Sequence, residues 1–177
     1  SADEIARHSA PLRALTVENI EARLRLLPGD QWRLDDLHAR FAGADILVSA
    51  TISNATAVRD WEFLKGRSAT PDARWPERLQ RLADTLESIS FAAPPELRLV
   101  FEGDARNLQS FNARFNLNAA QADTPWGQAE TINFTSRLFA AATNELSRVE
   151  ITLNAASAQT RWANTTNLNL QLRLLSL

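Results

Sequence analysis

The sequence predicts a mainly β protein: a long, twisted antiparallel sheet of repeated hairpins, curled into an open groove, with a small α-helical insert. Three observations lead to this prediction. Apolar and polar residues alternate with a period of two over much of the chain, turn residues separate the alternating stretches, and one hairpin pattern is written twice. Alternation with this period is typical of strands that have one buried face and one face in water.

The repeated hairpin occupies residues 111–138 and 147–174. A shift of 36 residues superposes the two segments with ten identities in 28 positions, whereas chance gives about two at ordinary residue frequencies. Each copy reads as a strand, a short polar turn that contains a Trp (Trp126 or Trp162), and a second strand. We expect each Trp to close the end of its hairpin with the ring buried. A repeat of this length indicates stacked units that share one apolar face.

The part of the chain before residue 54 predicts three further strands. Residues 15–27 alternate in two phases, and the jump near Asn19 predicts a bulge. A Pro-Gly-Asp turn leads into a second strand over residues 32–41, and a third strand follows over residues 46–53. We therefore expect an opening hairpin that resembles the later ones.

The alternation stops between residues 54 and 90, which predicts a helical insert. A short helix is expected over residues 57–64, and a second helix begins near Asp72. The apolar residues of the second helix recur at helical spacing, at Trp75, Leu79, Leu82 and Leu86. We expect the insert to pack on the sheet. A short strand over residues 89–92 and a longer one over residues 97–103 follow.

These patterns divide the chain into N-terminal hairpin strands (1–53), the helical insert (54–90) and the repeated hairpin groove (91–177). The three parts form one continuous domain, which we expect to be a segment of a longer protein. In the last part the alternation places large apolar side chains on one face and Asn and Thr side chains on the other. The apolar set is the candidate binding site: Phe101, Phe111, Phe115, Leu117, Ile132, Phe134, Leu138, Val149, Ile151, Leu153, Leu168, Leu170 and Leu172.

The composition argues against catalysis, metal binding and nucleic-acid binding. The net charge is −2, there is no Cys, and the two His residues are far apart, so neither a metal site nor a basic surface is expected. The five Gly residues stand alone and make no phosphate loop. The one polar cluster that an enzyme could use is Asp35, Asp36 and His38, and no nucleophile accompanies it. We predict no enzyme activity and no cofactor.

The apolar face of such a sheet needs a cover. Eight strands at ~4.8 Å make a sheet ~38 Å wide, and one helix ~10 Å across covers about two of them. The sheet can form a trough that holds lipid chains, close into a barrel, or pack on itself as a sandwich. The repeat favours the trough, because hairpins added in register extend a sheet without closing it.

The chain resembles the AsmA-like proteins of the Gram-negative envelope, the group that includes TamB-type and YhdP-type proteins. The resemblance covers residues 15–52 and 97–177. It rests on the long hairpins with a solvent-exposed Asn/Thr face, on the turn sequence from Thr124 to Glu130, and on the sequence from Leu37 to Ile52. The helical insert departs from the plain repeat of that family.

The resemblance implies a periplasmic segment of a protein that is anchored in the inner membrane through a part of the chain absent here. It implies a groove that conducts phospholipid acyl chains between the inner and outer membranes. The partners would be phospholipid, further repeats of the same parent chain and envelope membrane proteins, with no nucleic acid. The alternative is a non-catalytic structural β-module, a closed barrel or sandwich, that acts as a scaffold or interaction domain.

Overall fold

The computed structural model describes residues 16–61, 80–81, 83–85, 88–140 and 148–175. The described part of the protein is mainly β, with 75% of its residues in strands. The strands form a single nine-stranded sheet that is mostly antiparallel and is not closed. The predicted fold class is therefore confirmed, and the sheet does not form the barrel that the alternative interpretation includes.

The strands, in chain order, are β1 (Val17–Leu27), β2 (Gln31–Phe41), β3 (Ala44–Ser53), β4 (Ser90–Phe91), β5 (Glu96–Asp104), β6 (Asn107–Thr124), β7 (Gly127–Phe139), β8 (Arg148–Thr160) and β9 (Asn164–Leu175). Their order across the sheet is β1-β2-β3-β5-β6-β7-β8-β9. The short strand β4 pairs with β6 beyond the N-terminal end of β5. A 3-10 helix spans Ala55–Asp60, and further helical residues lie within 80–88.

The two copies of the repeat are the hairpins β6–β7 and β8–β9, and β7 joins them by pairing with β8. The copies share a backbone irregularity as well as a sequence. Thr131 and Asn167, which are 36 residues apart, both adopt a positive φ, 51° and 55°. Asn19 in β1 does the same, with φ 53°, and the β1–β2 register shifts between Glu18 and Glu21. The predicted bulge near Asn19 is confirmed.

The turns of the two hairpins are built in the same way around a threonine. The Thr124 hydroxyl accepts the N–H groups of Trp126 and Gly127, both at 3.2 Å, and donates to the Gly127 carbonyl at 2.9 Å. Thr160 makes the equivalent bonds in the second copy. This turn holds each Trp outside the sheet, so Trp126 is 64% and Trp162 is 70% exposed. The prediction that these rings are buried is wrong.

The third turn position is Gly127 in the first copy and Ala163 in the second, and the sheet explains the difference. At Gly127 the neighbouring strand β8 is so close that a Cβ would lie 2.1 Å from the carbonyl oxygen of Gln159. Gly127 also has φ 155°, where side chains are rarely tolerated. Ala163 precedes β9, and the described part of the chain places no strand on the outer side of β9.

One pairing departs from the predicted succession of hairpins, because β3 and β5 are parallel. Parallel neighbours need a connection that returns to the starting end of the first strand. Residues 54–95, here called the connector, make this return. The predicted second helix falls mainly outside the described residues. The predicted first helix is the 3-10 helix Ala55–Asp60, and the predicted short strand is β4.

The packed core lies where the connector meets the sheet. Phe41, Ala44, Leu97 and the helical residue Ala83 form the buried cluster, so the described helical residues pack on the sheet as predicted. Eight of the ten buried hydrophobic residues in the described part of the chain are alanines, and Phe41 and Leu97 are the two large ones. Most large apolar side chains of the sheet therefore lie outside a closed core.

Candidate functional site

The candidate site is one face of the sheet, here called the apolar face. Paired residues of adjacent strands point to the same side, and the register places the predicted side chains in rows that cross the strands. One row reads Leu99, Phe115, Ser136, Ile151, Leu172. The next reads Leu97, Leu117, Phe134, Leu153, Leu170. A third reads Phe101, Ala113, Leu138, Val149, Leu174.

The remaining members of the predicted set lie on the same face. Ile132 pairs with Ala119, and Leu168 pairs with Ala155. Phe111 follows by alternation along β6, and its ring contacts that of Phe101 at 6.3 Å between centroids. All thirteen predicted residues therefore share one face. Ser136 is the single polar residue that these rows contain in β5 to β9, and the sequence reasoning did not remark on it.

Part of the apolar face is covered by the two described ends of the connector. At one end of the sheet, the Trp61 ring packs edge-on against Phe111 at 6.1 Å. The Trp61 indole N–H donates to the Ala105 carbonyl at 2.8 Å, which fixes the ring. At the other end, Ala83 is fully buried in the cluster with Phe41 and Leu97. The connector thus covers the face near β3, β5 and the adjoining part of β6.

The face is bare on either side of this covered region. On β7 and β9, Leu138 is 39%, Leu172 is 48% and Leu170 is 56% exposed. On β1, Leu24 and Leu26 are 56% and 71% exposed. The predicted set therefore divides into packed residues, such as Phe111, and open ones, such as Leu170. The sequence set omitted Leu24 and Leu26, although the alternation along β1 marks them as members of this face.

The opposite face, here called the polar face, carries side-chain hydrogen bonds that run across its strands. Four asparagines form a row across β6 to β9: Asn118, Asn133, Asn154 and Asn169. The Asn133 amide donates to the Asn118 side-chain oxygen at 2.5 Å, and the Asn169 amide donates to that of Asn154. In the next row Thr135 donates to Asn116 at 3.0 Å. The polar face is thus stabilised by cross-strand hydrogen bonds.

The polar cluster that an enzyme could use is occupied by structural contacts. The Asp35 carboxylate forms ion pairs with Arg25 at 2.5 Å and Arg33 at 2.9 Å. Asp36 sits at a backbone irregularity with φ 48°. His38 lines a shallow depression on the polar face together with Arg40. Asp35 is therefore held as a counter-ion between two guanidinium groups.

The described part of the chain contains no group of three His, Cys, Asp or Glu residues that could hold a metal ion. No helix among the described residues is long and apolar enough to cross a membrane. Comparison with protein-family models, curated proteins and solved structures finds no match to this chain.

Proposed function

We propose that the apolar face binds the acyl chains of phospholipids, as a segment of an envelope protein that conducts lipid between the inner and outer membranes. One observation carries this proposal. Large apolar side chains on β7 and β9, including Leu138, Leu170 and Leu172, remain about half exposed on a broad, continuous face. Monomers rarely leave contiguous apolar patches of this kind uncovered, and a flexible hydrocarbon chain is a ligand that matches a surface on which nearly all side chains are apolar.

The expected affinity of the apolar face for lipid is low, which suits a protein that passes lipid on better than one that stores it. Burying a leucine completely is worth about 1.5–3 kcal/mol, so finishing the burial of a half-exposed leucine contributes about 1 kcal/mol. The four leucines at 138, 170, 172 and 174 together give about 4 kcal/mol, which corresponds to roughly millimolar affinity before the entropy of ordering the ligand is subtracted. A lipid held this weakly exchanges rapidly along the face.

The resemblance to AsmA-like proteins supports the same proposal, which includes a periplasmic location and an anchor in another part of the parent chain. The residues of the site act by excluding water and need no polar recognition group. The proposal accordingly assigns no catalytic residue and no cofactor. The other partners in this proposal are further repeats of the parent chain and envelope membrane proteins.

Site-specific photo-crosslinking in lipid-containing membranes or vesicles tests the proposal. A photoreactive residue at Phe134 or Leu172 is expected to yield lipid adducts. The matched controls are the next residues on the same strands, Thr135 and Gln171, which face the other side and are expected to yield none. A probe at Phe111, which Trp61 covers, should react weakly. Adducts that form equally from both faces, or only from Thr135 and Gln171, would contradict the proposal.

The second candidate is a scaffold or interaction module without a lipid ligand. The observation that favours it is the exposed edge strand β9, whose backbone is paired on one side only and which can accept another strand. This candidate predicts a chain that binds a second protein through the edge and does not bind an apolar fluorescent dye in its folded state. Dye binding that is lost in Leu170→Gln and retained in Asn169→Gln would favour the lipid face instead.

A further inference from the structure

At one position the two copies of the repeat carry side chains of opposite charge, and the hydrogen bonds of the repeat do not explain this difference. A shift of 36 residues equates Arg137 with Arg173, and Arg114 with Glu150. In the second copy Glu150 is opposite Arg173, and the two form an ion pair at 3.2 Å. In the first copy Arg114 is opposite Arg137. The same cross-strand position thus holds an ion pair in one hairpin and two cations in the other.

Two cations directly opposite each other on adjacent strands destabilise a sheet. No ion pair joins Arg114 or Arg137 to a carboxylate within the part of the chain that the structure describes. Glu150 also lies opposite Arg137 on its other side. It is already engaged by Arg148 and Arg173, both at 3.2 Å. Neither arginine of the first hairpin is therefore within ion-pair distance of a carboxylate among the described residues, although Glu102 lines the same depression.

The pair lines a depression of about 460 Å³, a volume in the range of small-molecule sites. Its polar-face side chains are Val100, Glu102, Asn112, Arg114, Arg137 and Phe139. The Asn112 side-chain oxygen accepts the Ala140 N–H at 2.8 Å, which leaves its amide N–H groups available to donate. The guanidinium of Arg148 lies over the Phe139 ring at 4.3 Å and adds positive charge nearby.

We propose that this depression binds a phosphate-type oxyanion. Each guanidinium group presents a planar fork of donors that matches phosphate oxygens, and the anion would remove the repulsion between Arg114 and Arg137. The Asn112 amide supplies a neutral donor beside them. Glu102 disfavours a second negative group and accepts hydroxyl hydrogens, so a phosphate monoester of a hydroxylated compound fits better than a polyphosphate.

The site is on the face opposite to the proposed lipid surface, so it does not depend on that proposal. The phosphate can come from a soluble ester or from the headgroup of a lipid in a membrane that meets the polar face. Both sources present the same oxyanion to the two arginines. Binding of soluble phosphate compounds and binding to lipid vesicles therefore have to be measured separately.

The first arm titrates the folded 177-residue chain with inorganic phosphate and with glycerol phosphate at constant ionic strength, followed by calorimetry and thermal unfolding. Saturable binding is expected. Arg137→Gln should weaken it about tenfold or more, because one charge-assisted interaction is lost. Arg161→Gln, in the distant turn between β8 and β9, is the control and should bind as the unmodified chain does.

Arg114→Glu is a second variant, which separates loss of phosphate binding from loss of folding. It rebuilds in the first hairpin the ion pair of the second, so its melting temperature should rise while phosphate binding disappears. The second arm measures co-sedimentation with phosphatidylcholine vesicles that contain or lack phosphatidic acid. Binding that requires phosphatidic acid and Arg137 identifies a headgroup source, and phosphate binding without it identifies a soluble ester. Equal phosphate binding by Arg137→Gln and the unmodified chain would overturn the proposal.

Discussion

Replacing Gly103 by alanine would place a methyl group too close to the ring of Phe111. A Cβ at Gly103 would lie 2.5, 2.6 and 2.7 Å from three carbons of that ring. Carbon atoms in ordinary contact are ~3.5–4.0 Å apart, so the ring has to retreat by about 1 Å. The Trp61 ring at 6.1 Å and the Phe101 ring at 6.3 Å lie in contact with it, and Trp61 is fixed by its bond to Ala105.

Overpacking of this kind costs about 1–3 kcal/mol. For a chain of this size each kcal/mol lowers the melting temperature by about 2–4 °C, so Gly103→Ala should lower it by about 4–8 °C for a mid-range cost. Urea denaturation followed by tryptophan fluorescence measures the free energy of unfolding.

A double-mutant cycle with Phe111→Leu separates the steric clash from other causes. In that background the smaller side chain leaves space for the methyl group, and the cost of Gly103→Ala should fall by at least half. Gly29→Ala is a useful contrast, since nothing lies within 4 Å of its Cβ and its cost comes from the positive φ of 77°. An equal cost of Gly103→Ala with Phe111 and with Leu at that position would refute the reasoning.

Two further predictions concern the polar face and the turn between β5 and β6. Asn133→Ala should lower the free energy of unfolding by about 1 kcal/mol, since it removes the side-chain bond to Asn118. Asp104 has a pKa held below its ordinary value, first by the N–H of Arg106 and then by the Asn54 side chain. Its stabilising effect is therefore present above the ordinary pKa and is lost as the pH falls through the lowered one. Asp104→Asn should flatten the stability profile below pH about 4.

Both predictions have a clear contrary result. Asn169→Ala is the matched control for the first, because Asn169 lies on the edge strand and has one neighbouring strand. It should lower the free energy of unfolding less than Asn133→Ala does. The reverse order of urea midpoints would contradict the stabilising role of the asparagine row. For the second, an Asp104→Asn variant whose acid unfolding parallels that of the unmodified chain would show that Asp104 does not contribute to acid sensitivity.

Hairpins β6–β7 and β8–β9 were predictable from sequence because their information is local. The alternation and the Trp-containing turn both lie within one 28-residue copy of the repeat. The same local reasoning failed for Trp126 and Trp162. Apolar character alone suggests burial, whereas the threonine hydroxyl accepts two backbone N–H groups of the turn and so holds the ring outside the sheet.

The parallel pair β3–β5 was not predictable from the strands themselves, because each strand alternates in the same way whichever direction its neighbour runs. It depends on where the connector leads the chain. For the candidate site, the register confirmed the common face of Phe115, Phe134 and Leu153. The covering of Phe111 by Trp61 is a contact between residues 50 positions apart, which periodicity does not reveal.

The parallel junction has a consequence for any ligand that moves over the sheet. Ala83 and Trp61 lie on the same side of the sheet, at opposite ends of the strands, and the bare regions at β1 and at β7 to β9 are on either side of them. A molecule that travels from strand to strand meets Ala83 along the rows at one end of the strands and Trp61 along those at the other. We therefore expect ligand to bind in two regions, one at β1 and one at β7 to β9, with a stoichiometry of two.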